Sequence, residues 1–236
     1  MTKKLILSIS ILSTSVFAAT DAQIISYFQS QIPVPTVKVN VISRISIADI
    51  KGMEYISISL SDGSRTQKVS VFTKGDLIFP DVIDVKSGSI KNKLDKQKLI
   101  KKLADIYKKE DKANIVILGN DPKKETLVKF TDPECPFCRK EVAQLEEKLK
   151  KYNLKYIFTP VHDRSSLEKS SIIYKQTSNA KTLEEKIKII KKYYNGDVDT
   201  KVSDAEVAGI EKVRKKYFAA GLKGVPFYVE EKKLLN

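Results

Sequence analysis

The spacing of hydrophobic residues changes along the chain, and each change marks a part. Leu5 to Phe17 is apolar apart from a few Ser and Thr, and it follows Lys3 and Lys4. Val16-Phe17-Ala18 meets the small-residue cleavage rule. Residues 1–18 therefore read as an export signal, shorter than the ~20 apolar residues a membrane span needs. Thr20 and Gln23 have the spacing of a capping box. Ile24, Ile25 and Phe28 continue as a short amphipathic helix that ends by Pro33 and Pro35. From residue 37 to about 86 the period drops to two. Ile56, Ile58 and Leu60 share one strand face, Asp62-Gly63 turns, and Gln67 to Phe72 returns. Lys74-Gly75-Asp76 turns again before Leu77-Ile78-Phe79, completing a small antiparallel meander. A helical period resumes over 91–110 through Leu94, Leu99, Leu103, Ile106 and Tyr107. This pattern fits a charged connector helix and equally a helix packed on a domain.

Beyond residue 113 strands and helices alternate. Asn114 to Leu118 predicts a buried strand, Asn120-Asp121-Pro122 a turn, and Glu125 to Thr131 a second strand. Asp132-Pro133-Glu134 breaks it. Cys138, Val142, Leu145 and Leu149 then recur at helical spacing to about Lys151. That spacing turns Cys138 toward the core and leaves Cys135 at an exposed helix start, with Pro136 in the first turn, where a missing N–H costs nothing. Tyr156-Ile157-Phe158 is a further strand. Ser165 with Glu168, and Thr182 with Glu185, predict capping boxes opening helices through about Gln176 and Tyr194. Ser203 with Glu206 opens another, carrying Val207, Ile210, Val213 and Tyr217 and stopped by Gly221. Gly224 to Val229 predicts a strand, and Lys232-Lys233 a turn into a last short strand at Leu234-Leu235.

Composition narrows the function. The chain of 236 residues has room for one large or two modest domains. Its formal charge is +14, but the lysines are spread along the chain and mixed with glutamates, as on solvated helix faces. With an export signal and no basic patch, nucleic acid is not an expected partner. Two cysteines and one histidine, His162, are too few to close a tetrahedral zinc site, and no metal is expected. Both cysteines lie in Cys135-Pro136-Phe137-Cys138. A disulfide there closes a tiny loop and stabilises little, so the pair reads as redox-active. At a helix N-terminus, unpaired N–H groups and the helix dipole favour the thiolate, which is the nucleophile of disulfide exchange. His162 follows a strand end at Pro160 and reads as a loop residue.

Phe130-Thr131-Asp132, Cys135-Pro136-Phe137-Cys138 and Gly224-Val225-Pro226, together with the order of elements, resemble the DsbC/DsbG family of exported disulfide isomerases. The resemblance implies a strand-rich, cystatin-like α+β dimerisation domain at 19–90, a linker helix at 91–112, and an α/β thioredoxin-like catalytic domain with a helical insertion at 113–236. It implies Cys135 as attacking thiolate, Cys138 as resolving thiol, and Pro226 as a cis-proline. Val225, Pro226 and Phe137 would meet the client. No cofactor is implied beyond the Cys135–Cys138 disulfide. The implied partners are unfolded or mis-disulfided exported proteins, a membrane thiol electron donor or oxidant, and a second copy of the chain, in the periplasm of a Gram-negative bacterium. Val225 stands where isomerases commonly carry Thr and DsbA-type oxidases carry Val. Net oxidase activity therefore stays open as an alternative, as does a redox-independent holdase. Lys129 stands where thioredoxins carry a buried acid. Its charge either snorkels to solvent along an apolar stem or supports a thiolate.

Overall fold

A computed structural model describes residues 19–196, 198 and 200–236; the export signal expected at 1–18 lies outside them. The chain divides into two compact units, with the boundary between Asp95 and Lys96.

The first unit opens with α1 (Asp21–Gln31), capped reciprocally by Thr20 and Gln23 as the sequence predicts. Four strands follow: β1 (Lys38–Ser46), β2 (Met53–Ser61), β3 (Thr66–Lys74) and β4 (Leu77–Phe79). They form an antiparallel sheet in the order β1-β2-β3-β4. Ile56 and Ile58 of β2 and Val71 of β3 bury one face against Ile24 of α1. Arg44 of β1 ties the helix to the sheet. Its guanidinium donates to Asp21 at 2.7 Å, to the Ala19 carbonyl at 2.5 Å and to Glu54. Tyr55 and Phe72 point to the opposite face, where Phe79, Val82, Ile90 and Leu94 join them. The strand alternation predicted from one apolar face thus feeds two clusters, because β2 carries apolar residues on both sides.

A small hairpin, β5 (Ile83–Asp84) with β6 (Gly88–Ser89), leads into α2 (Ile90–Tyr107). This continuous helix serves both units. Ile90 and Leu94 pack in the first, while Leu103, Ala104 and Tyr107 are core residues of the second.

The second unit contains a 3-10 turn at Lys112–Asn114, then β7 (Val116–Leu118), β8 (Glu125–Thr131), α3 (Pro136–Ala143), α4 (Leu145–Lys151) and β9 (Tyr152–Phe158). The helices α5 (Arg164–Asn179), α6 (Leu183–Asn195) and α7 (Asp204–Ala219) follow. The chain continues through β10 (Phe227–Glu230) and a single turn, α8 (Lys232–Leu235). The sheet order is β10-β8-β9-β7. Only β8 and β9 are parallel, because α3 and α4 carry the chain back over one face between them. Val128 and Phe130 of β8 face α2 and α7 through Leu103, Val213 and Tyr217. Thr131 faces the other way, toward the core that holds Cys138, Val142, Tyr156 and Tyr194.

Several sequence expectations change here. The helix after the cysteines is two helices. Backbone geometry leaves the α region at Gln144 (φ −104°, ψ 19°), whose N–H turns to the Glu141 carbonyl. Ser165 is not a cap: α5 begins at Arg164 after Asp163, and the Ser165 hydroxyl donates to Glu134 at 2.9 Å. Leu234-Leu235 is helical, not a strand; Leu234 is buried while Glu231 accepts its N–H at 2.8 Å. The capping boxes at Thr182–Glu185 and Ser203–Glu206 are both present.

Candidate active site

The C-terminal end of β8 is where the chain leaves the sheet and starts α3. Asp132, three residues before Cys135, organises this exit. Its carboxylate is wholly buried and accepts from five donors. One oxygen receives the Glu134 N–H at 2.7 Å and the Ser166 hydroxyl. The other receives the Val161 N–H at 2.8 Å and the His162 N–H at 3.2 Å, and meets His162 Nδ1 at 2.7 Å. Burial pushes the Asp132 carboxyl up, but these hydrogen bonds outweigh it and hold the acid below its usual range. One side chain thereby fixes the strand exit, the loop after β9 and the start of α5. His162, expected as a plain loop residue, is the exposed member of this cluster.

Cys135 is the N-cap residue of α3, and Pro136 occupies the first helical position. The sequence places Cys135 at an exposed helix start. The structure corrects this: Cys135 is only 4% exposed and Cys138 is wholly enclosed. Segment 224–226 returns against Cys135, and the Val225 carbonyl accepts from the Cys135 thiol at 3.7 Å. The Val225–Pro226 peptide is cis. Phe137, between the two cysteines, is 67% exposed and is the large apolar side chain presented beside them. Both cysteines are free thiols. Glu134, the nearest carboxylate in sequence, turns away to Lys169 at 3.0 Å, so its charge is matched before it reaches the sulfurs.

Burial pushes the Cys138 thiol up to about 11. The Thr131 hydroxyl, the Asp132 N–H and the Lys129 charge act in the opposite direction without overcoming burial. Thr131 is itself held by the Tyr194 hydroxyl at 2.7 Å. Lys129 does not snorkel. Its side chain is fully buried, its Nζ has no hydrogen-bond partner, and it lies 4.9 Å from the Tyr156 ring centre and 5.4 Å from that of Tyr228. The reason is its register. Lys129 is flanked by Tyr156 of β9 and Tyr228 of β10 in the middle of the sheet, with α3 and α4 over that face. Sequence reasoning missed the two tyrosines and Asp132 as parts of the site. The Asp132 signal was visible in Phe130-Thr131-Asp132, but its five donors come from three separate segments.

Comparison with known proteins agrees with this architecture. Residues 110–226 match the family model described as Thioredoxin. The solved structure of Helicobacter pylori DsbG is similar over 89% of this chain and 99% of that one, at 21% identity and a TM-score of 0.52. A linker-deleted variant of Proteus mirabilis ScsC aligns over 60% of this chain and 77% of that one, with 17% identity and a TM-score of 0.37. The thiol-disulfide exchange protein alpha-DsbA2 from Wolbachia pipientis aligns over 57% and 86%, with 18% identity and a TM-score of 0.33. No protein with a curated description matches the sequence. In fold the chain is similar to that DsbG, with a strand-rich N-terminal unit and a thioredoxin-like C-terminal unit.

Proposed function

We propose that this protein is an exported thiol–disulfide oxidoreductase that isomerises or reduces non-native disulfides in client proteins. The observation that carries this reading is the pair of free thiols at the start of α3, with the Cys135 sulfur 3.7 Å from the Val225 carbonyl. The thiolate of Cys135 attacks a client disulfide, forms a mixed disulfide and releases one client thiolate. A second client thiol then displaces Cys135, completing isomerisation, or Cys138 displaces the client, completing reduction. Exposed Phe137 and the backbone of Val225 and Pro226 give an extended client segment an apolar contact and main-chain partners. The leader pattern at 1–18 supports export to the periplasm. The exposed Ile42 and Ile45 on edge strand β1 support assembly into a homodimer.

The experiment is recovery of activity from scrambled, multi-disulfide ribonuclease in the presence of the mature chain. Recovery that disappears in Cys135→Ala supports the reading. Prevention of client aggregation that survives in Cys135→Ala, with no turnover by the wild type, would replace it with a holdase.

One observation favours a second reading. Val225 is partly buried against both core clusters and offers no hydroxyl beside Cys135. This supports net oxidation. A reduction potential near −120 mV, the value of a strongly oxidising pair, would favour the oxidase; one much lower favours the isomerase or reductase.

A further inference from the structure

We propose that the Lys129 amine is the proton acceptor of the Cys138 thiol when Cys138 resolves a mixed disulfide held on Cys135. The proposal deepens the exchange reading above and rests on it. Three observations place the amine for this task. Lys129 and Thr131 lie on one face of β8, and alternate residues on a strand face are roughly 7 Å apart, within the reach of a lysine stem. Tyr156, whose ring centre lies 4.9 Å from the Lys129 Nζ, belongs to the same buried cluster as Cys138, so the amine and the thiol share one enclosed core. The Nζ is fully buried and hydrogen-bonded to nothing, which leaves its lone pair free whenever it is neutral.

Burial with no ion-pair partner favours that neutral form. Tyr156 from β9 and Tyr228 from β10 present ring faces. Lys148 from α4 is the nearby cation, and its own charge is taken by Glu141 of α3 and the Tyr228 hydroxyl. The Tyr228 hydroxyl also donates to Glu141 at 2.7 Å, so that acid is engaged away from Lys129. The remaining groups acting on the Lys129 charge are Cys138 and Cys135 themselves. Burial brings the amine down to about 7, against which the two sulfurs act to raise it and Lys148 to lower it.

The step balances as follows. The Cys138 S–H bond breaks and its proton passes to the neutral Lys129 amine, giving an ammonium. The Cys138 thiolate attacks the Cys135 sulfur, the Cys135–Cys138 bond forms, and the Cys135–client bond breaks with its electron pair on the client sulfur. The client leaves as a thiolate, reduced, while the enzyme pair is oxidised. In the reverse direction the ammonium returns the proton to Cys138.

Oxidised glutathione is the probe, and the measured quantity is the rate at which the Cys135–glutathione adduct of the mature chain resolves, from about pH 5 to about pH 10. In the wild type the rate is expected to rise through about 7 and then level. In Lys129→Met it is expected to fall about 100-fold near pH 7, the scale of a lost proton acceptor, and to approach the wild type at the alkaline end. Equal rates near pH 7, or one constant factor at every pH, would overturn the proposal, since lost packing slows all pH values alike. If Lys129→Met does not fold, the wild type decides by carbon NMR titration of the Lys129 Cε. A midpoint near 7 supports the proposal, because a neutral amine is then at hand at neutral pH. A midpoint near the ordinary lysine value of about 10.4 overturns it. A wild type that forms no glutathione adduct overturns the exchange reading, and this proposal with it. An adduct that forms normally but resolves without regard to Lys129 overturns this proposal alone.

Discussion

Burial drops the Lys129 amine to about 7, whereas in an unfolded chain it titrates near 10.4. Below about 7 the amine is charged in both states and the folded protein carries the whole desolvation cost. Between the two values the unfolded chain binds more protons, so stability from this residue rises with pH. Lys129→Met should therefore stabilise the reduced protein by about 2–4 kcal/mol near pH 6, with the gain shrinking toward pH 9. Guanidinium melts at the two pH values check both size and trend. The Cys138 thiol, raised to about 11, contributes stability that is present at low pH and fades only above its unfolded value near 8.5, so the range from 7 to 8 isolates Lys129. Asp132 has the opposite sign. Its carboxyl is held low, so its contribution is present above the unfolded value near 3.9 and is lost as pH falls further. Asp132→Asn should cost about 2–3 kcal/mol at neutral pH and progressively less in acid, read from thermal melts.

At the scale of elements, local chemistry sets the boundaries that the sequence shows clearly. Thr20, Thr182 and Ser203 each cap the helix that follows, and Thr182→Ala should cost about 1 kcal/mol in a denaturant melt. The central strand β8, the meander and the helix after Cys135 were likewise legible, because their periodicity is a property of neighbouring residues. The misreadings share another cause. Ser165 has the spacing of a cap, but Asp132, 34 residues before Ser166, has already fixed that turn. Leu234-Leu235 has strand composition, but the chain leaves β8 after the Glu231 N–H bonds the Thr126 carbonyl, and the Glu231 carbonyl accepts from Leu234 and Leu235 to form a helical turn instead. The exposure of Cys135 was also misjudged, and that of Lys129 was left open. In both, the covering group comes from far along the chain: Val225 over the thiol, Tyr228 and Tyr156 around the amine. Helix periodicity reports which way a side chain points, not what later folds over it.

For the whole molecule, the sheet of the N-terminal unit has β1 at one edge, with Ile42 and Ile45 exposed, a surface that strand pairing would cover. Sedimentation of the mature chain at micromolar concentration should give twice the chain mass; a monomer would remove the homodimer from the functional reading. A dimer would carry two redox pairs, which raises the local concentration of thiols at a second disulfide once the first is held. The near closure of Cys135 then acquires another meaning. Peroxide attacks a sulfur in proportion to its thiolate character and its access to solvent, and repeated attack carries it past sulfenic acid to forms that thiols cannot restore. A sulfur with 4% of its residue surface open offers a solution oxidant little area, so the Val225 segment that covers it also slows its over-oxidation.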